Sequence, residues 1–310
     1  MKKVFLFVII SIFFKTNGYC QLDNIIGKAG NLFNKGINSK IHKEPITTNF
    51  DDCNKSETLP PEFGEKAIEK QLCNIKFTAG KGYQLTPGYY TCTVKSFCLK
   101  AGTYAPSKGD GYLYAPLKGP KEKIVYKLID NWYNHNEVDQ HDLQLILWAI
   151  IAKTKISNLS PKLKAIVVLL IGEDDVKELS KVGLEMLSAE AFKRTVTNLP
   201  APLQKIAEIE NQMRTKFYAA TVNYSEIESL AILNGTQTET SSIQRGTWTK
   251  LPNECYIKYL PQGYDNTQII YYVPQTLASK EIYYYGTGTI AMPASIGSQR
   301  LAQSNKIVCN

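Results

Sequence analysis

Two side chains of this sequence are of types that could react with each other. Cys98 follows Phe97 at the end of a stretch with strand character, and Gln144 stands four residues before Trp148 in the apolar run Leu143-Gln144-Leu145-Ile146-Leu147-Trp148-Ala149-Ile150. A cysteine sulfur held against a glutamine carboxamide can displace ammonia and leave an internal thioester, an acyl group activated toward amines. Such a reaction needs enforced proximity and walls that exclude water until a target arrives. Phe97, Tyr104, Tyr112, Tyr114 and Trp148 are the aromatics available as shielding. A plainer reading stands beside it: Gln144 as an ordinary helix glutamine, and Cys98 as a buried thiol or a half-cystine.

Other constellations carry less. Cys98 with His141 and Asp139 or Asp142 would supply a nucleophile, a base and an orienting carboxylate, the elements of a cysteine-dependent hydrolase, but no peptidase motif surrounds them. Only His42, His135 and His141 are present. His135, Glu137, Asp139 and His141 fall between two helices, where polar residues are usually just solvated, and no metal is assigned to them. Gly109-Asp110-Gly111 is not followed by the Gly-Lys-Ser/Thr of a phosphate loop, and no cofactor is implied.

The first 20 residues have the form of a secretory leader: Met1-Lys2-Lys3, an apolar run from Val4 to Phe14, and a small-x-small triplet at Gly18-Tyr19-Cys20. Export to the periplasm, cell surface or medium is the expectation. Lipid attachment at Cys20 ranks second, because Tyr19 is large where a small residue is preferred. Removing the leader, which carries Lys2, Lys3 and Lys15 and no acid, lowers the formal charge from +8 to +5. The remaining lysines are scattered, which argues against a nucleic-acid footprint.

Six cysteines then remain, at 53, 73, 92, 98, 255 and 309. An even set in an exported chain is ordinarily a disulfide framework. Spacing offers Cys53 with Cys73 and Cys255 with Cys309, and a crosslinked Cys98 would leave Cys92 as the odd one. There is no C-x-x-C pair.

The elements that must position these groups follow from periodicity. Residues 21–70 are a polar, poorly ordered lead-in. Ile75 to Leu99 has β character with Thr86-Pro87-Gly88 as a turn, which puts Cys98 at a strand end. Lys100 to Lys118, rich in glycine and tyrosine, is a long loop. Gly119-Pro120 opens a helix through Trp132, and Asp139 caps a second from Gln140 to Lys153, with Gln144 in its first turn. Ser160-Pro161 starts a third, stopped at Gly172. Further helices are expected over Asp174–Leu187, near Ala189–Val196 and over Pro202–Ala219. No apolar run reaches the roughly 20 residues that span a bilayer. Residues 234–244 read as a linker, followed by short strands near Thr247, Cys255–Leu260, Gln268–Val273 and Glu281–Tyr285.

Taken together, Phe97-Cys98 and the segment Gln144 to Trp148 resemble the bacterial thioester domains of Gram-positive adhesins. There an aromatic-Cys pair lies on a sheet portion and a motif near Thr-Gln-x-Ala-Ile-Trp on a helical portion. The tyrosine-bearing Gly111-Tyr112-Leu113-Tyr114 is similar in kind, while Leu143 stands where the family has threonine and Ile146 where it has alanine. The resemblance covers about residues 75–230 and implies a Cys98–Gln144 crosslink that acylates a partner lysine.

The expected architecture is α+β: a small antiparallel sheet packed with a helical block over 71–233, then a small separate β domain over 245–310. The expected role is a secreted or cell-surface binding protein that attaches to a protein or glycan partner. A non-covalent extracellular module with structural disulfides is the alternative.

Overall fold

The computed structural model describes residues 44–48, 69–78, 80–180, 192–193, 196–197, 199–219, 222–235, 243–293 and 297–308. The expected leader, most of the lead-in, and Cys53 and Cys309 lie outside them, as do residues 181–187 of the expected 174–187 helix, most of the expected linker and most of the expected 189–196 helix.

Strands come first in the chain: β1 (Thr47–Thr48), β2 (Glu69–Gln71), β3 (Phe77–Thr78), β4 (Gly82–Leu85), β5 (Gly88–Cys98), β6 (Thr103–Tyr104), β7 (Leu113–Tyr114) and β8 (Leu117–Lys118). The helices are α1 (Glu122–Asn131), α2 (Gln140–Ile151), α3 (Pro161–Ser180), α4 (Ala201–Tyr218) and α5 (Tyr224–Ala231). β9 (Ile232–Leu233), β10 (Thr249–Lys250), β11 (Tyr256–Pro261), β12 (Asn266–Val273), β13 (Ile282–Tyr284), β14 (Gly288–Ala291) and β15 (Arg300–Val308) complete the described chain. The α+β class is as expected.

The organising element is β5, eleven residues long and buried over most of its length. Its main-chain donors and acceptors need partners along both edges, and the short strands near it in sequence cannot cover them. The covering comes from the far end of the chain. β12 runs antiparallel along one edge, from Val273 opposite Gly88 to Asn266 opposite Lys95. β15 runs antiparallel along the other edge, with Leu301 opposite Cys98 and Val308 opposite Thr93, and β2 adds parallel pairing at Tyr89–Thr91. The main sheet is ordered β10-β11-β12-β5-β15-β14-β7.

This corrects the expected division of the chain. The described strands of 245–310 do not make a separate β domain: β10, β11, β12, β14 and β15 fill the same sheet as β5, and β13 pairs with β4. The change in composition after Asn234 marks a switch from helices to strands rather than a domain boundary. The lead-in is corrected in one place too: Ile46 is buried in the helical core, and the Pro45 carbonyl accepts from Lys121 N.

Apolar clusters gather around the sheet. Tyr90, Cys92 and Val94 of β5 pack with Leu72, Tyr83, Leu85, Tyr271 and Tyr284. The end of β5, Phe97-Cys98, and Leu99 beyond it, enter a second cluster formed by the helices. α2 is central there, with every residue from Leu143 to Ile151 buried. Each aliphatic side chain so enclosed contributes about 1.5–3 kcal/mol. The helix begins where Asp139 accepts a hydrogen bond from His141 N at 2.7 Å, as the sequence predicts. α3 is two helical stretches that meet at Gly172, whose φ of 80° and ψ of 165° no helix residue adopts; the expected stop is there, and the second stretch runs on through Ser180.

Candidate functional site

Residue 98 is where β5 outruns β12. The pairing of β12 with β5 ends at Lys95, and Ser96 N donates to Asp265 O just beyond it. On the opposite edge Leu99 N donates to Arg300 O, so the main-chain groups of Cys98 itself face away from β15. They face α2. Gln144 Oε1 accepts from Cys98 N at 2.8 Å, and Gln144 Nε2 donates to Cys98 O at 2.9 Å. The carboxamide thus takes the place of a one-residue strand. One turn earlier Gln140 Nε2 donates to Ser96 O at 3.0 Å and to Asp265 O at 2.9 Å. Gln140, Gln144 and Trp148 follow at intervals of four, so one face of α2 docks on this edge.

The structure therefore brings Cys98 and Gln144 together, with 0% and 1% of their surfaces exposed. Gln144 is the fifth residue of α2, at the start of its second turn rather than in the first. The sulfur has two hydrogen-bond acceptors beside it: it donates to Gln299 Oε1 at 2.6 Å and lies 3.0 Å from Lys100 O. Gln299, fully buried, is itself held by its Nε2 on Thr103 O. Burial pushes the thiol up to about 11, against the pull of Trp148, the Lys100 main chain, Gln299 and Arg300, which favour the thiolate. At neutral pH Cys98 carries its proton.

Of the aromatics expected as shielding, Trp148 and Tyr112 are tied to the thiol. The Trp148 indole is fully buried and its Nε1 has no strict hydrogen-bond partner, although it sits close enough to the sulfur to favour its ionisation. The Tyr112 hydroxyl is likewise buried and unpartnered, and burial, Asp110 and Cys98 raise its pKa. Gly111, just before it, lets the loop pass close under another segment: a Cβ there would sit 2.3 Å from Ile243 O. Phe97 packs edge-on against Trp132, with ring centroids 5.2 Å apart. Tyr104 pairs its main chain with Leu233, and Tyr114 lies opposite Ile290 in the sheet; both are half-buried.

Residues that sequence reasoning passed over complete the surroundings. The Tyr224 ring lies 5.5 Å from Trp148 and stacks on His141 at 4.1 Å. Its hydroxyl is 2.8 Å from that of Tyr264, which donates a very short bond to Glu228 Oε1. Burial raises Tyr224 to about 12, with Glu228, Cys98 and Asp265 adding to the shift and the hydrogen bond shared with Tyr264 opposing it. The only signal for these residues was the i, i+4 spacing of Tyr224 and Glu228, unremarkable on its own.

The Cys98–His141 arrangement is not formed as a catalytic pair. The sulfur's hydrogen-bond partners are a carbonyl and a carboxamide, while the His141 side chain is 66% exposed, near Asp139. His135 bonds Glu137, and among the described residues no group of His, Cys, Asp and Glu could hold a metal.

The cysteine pairing also needs correction. Cys73 is disulfide-bonded, whereas Cys92, Cys98 and Cys255 are buried free thiols. Cys255 immediately precedes β11 and is a free thiol. The expected Cys255–Cys309 bridge is not made. Cys255 packs instead against Tyr271.

Comparison with family models, curated proteins and solved structures finds no match.

Proposed function

We propose that this protein attaches covalently to amine-bearing partners through a thioester between Cys98 and Gln144. One observation carries the reading: two residues 46 positions apart, both excluded from water, meet with the acyl oxygen of Gln144 already held by the main-chain N–H of Cys98. A donor at that oxygen polarises the carboxamide and stabilises the oxyanion formed as sulfur adds. In the closing step the C–N bond of Gln144 breaks, a C–S bond forms, and the thiol proton leaves with ammonia. The buried, unpartnered Trp148 N–H would then serve the sulfur as it departs during acyl transfer. Each molecule acts once, so the chain is a binding protein rather than an enzyme in the turnover sense.

The leader supports a role at the cell surface or in the medium, with a protein or glycan surface as partner through a lysine amine. Among the described residues no helix is long and apolar enough to cross a membrane.

A second reading has its own observation. Gln140 and Gln144 together cap the open edge of β5, which suits a permanent structural clamp in a non-covalent module. Intact mass separates the two readings. The thioester form is lighter than the sequence by one ammonia and gains one methylamine on treatment, and Cys98→Ala and Gln144→Ala abolish both signals. A parent of full sequence mass after both cysteines and leader are accounted for leaves the clamp.

A further inference from the structure

We propose that Tyr224, Tyr264 and Glu228 form the path by which an attacking amine loses its proton as it opens the Cys98–Gln144 thioester; the inference rests on that reading. The direction of the path is fixed by hydrogen-bond chemistry. A tyrosine hydroxyl has one proton, and that of Tyr264 is committed to the Glu228 carboxyl oxygen. Its oxygen is then the acceptor for Tyr224, 2.8 Å away. The Tyr224 proton then points toward Tyr264, which leaves a lone pair on Tyr224 for an incoming donor, and its ring packs 5.5 Å from that of Trp148 beside the sulfur.

The need for such a path is plain from the sulfur's own neighbours. A carbonyl and a carboxamide oxygen accept hydrogen bonds but take up no proton near neutrality. Glu228 is half-buried and reaches solvent, so a proton delivered there can leave.

The step balances as follows. The amine nitrogen forms a bond to the Gln144 acyl carbon while the C–S bond breaks and its electron pair goes to sulfur. The proton lost by nitrogen passes to Tyr224 as the Tyr224 proton passes to Tyr264 and the Tyr264 proton to Glu228. The products are an amide and a Cys98 thiolate, which the adjacent Trp148 N–H favours before it is reprotonated. Tyr224 touches the reacting amine and is catalytic; Tyr264 and Glu228 act through it.

The test compares two nucleophiles on full-length protein, read by intact mass over time. Methylamine must shed a proton to yield a stable amide, whereas 2-mercaptoethanol as its thiolate has none to lose. Glu228→Gln, Tyr264→Phe and Tyr224→Phe preserve shape. Each should keep the ammonia deficit and react with methylamine about 10²-fold more slowly than the parent, the usual scale of general acid–base assistance, while reacting with the thiolate at the parental rate. Equal slowing with both nucleophiles, or none with either, overturns the relay and leaves the thioester standing. Loss of the deficit in all three folded variants also overturns it, by moving the network to thioester formation. A parent without the deficit overturns both ideas together.

Discussion

The docking of α2 on the end of β5 can be weighed without reference to any covalent chemistry. In a Cys98→Ala background no thioester can form, yet residue 98 keeps the N–H and C=O that Gln144 holds at 2.8 and 2.9 Å. Adding Gln144→Met preserves side-chain length and helix propensity and avoids a large cavity, but supplies neither a donor nor an acceptor. Both main-chain groups are then buried without partners. A buried polar group left unsatisfied costs about 1–3 kcal/mol, so the second substitution should remove about 2–6 kcal/mol from the stability of the Cys98→Ala protein. Urea unfolding followed by tryptophan fluorescence reads this as a lower midpoint at unchanged slope. A loss below about 1 kcal/mol would refute the claim that the carboxamide replaces a strand, since two orphaned groups in a dry core cannot cost less.

Other expectations concern the frame around the site. Asp139→Ala removes the cap on α2 and should cost about 1 kcal/mol in the same melt. Asp130 accepts from Tyr285 OH, Thr287 Oγ1 and Asn305 Nδ2, tying α1 to the sheet; Asp130→Ala should lose about 2–3 kcal/mol, as charge-assisted bonds do. Lys153 and Glu210 form a buried pair at 3.2 Å, and Glu210→Ala, which takes the carboxylate from beside the buried lysine, should cost about 3–5 kcal/mol. Burial raises Cys92 from 9.0 to about 12. The folded state therefore holds that proton where the unfolded chain has lost it, and stability contributed below pH 9.0 should fall as pH rises toward about 12. A pH series of melts on Cys92→Ala should show a shallower alkaline decline than the parent.

Local chemistry was legible where it was written locally. The cap at Asp139, the apolar span of α2, the Ser160-Pro161 start of α3 and the hairpin of β11 and β12 all follow from spacing and turn residues within a few positions. So does the strand that ends at Cys98. The partners of that strand are another matter. β12 and β15 join β5 across some 170–210 residues, and nothing in an alternating pattern says which distant strand it will meet. Reading neighbours in sequence as neighbours in space made a separate domain out of strands that belong to the central sheet. Gln299 was missed for the same reason: a polar residue in a C-terminal segment acquires meaning only when β15 sets it against the sulfur. Trp148 and Tyr112 could be named because they lie near the reactive residues in sequence, whereas Tyr224 and Tyr264 are assembled from separate elements.

The placement of β15 sets an order of events. Gln299 and the Leu301 pairing, which close one side of the Cys98 thiol, lie some 200 residues beyond it, so a nascent chain carries the cysteine bare for that much elongation. The contacts that bury the sulfur and the pairing that fixes the end of β5 are thus completed by the same distant segment. Full burial of Cys98 is thereby deferred until the central sheet has closed, and an interrupted chain leaves that thiol open to solvent.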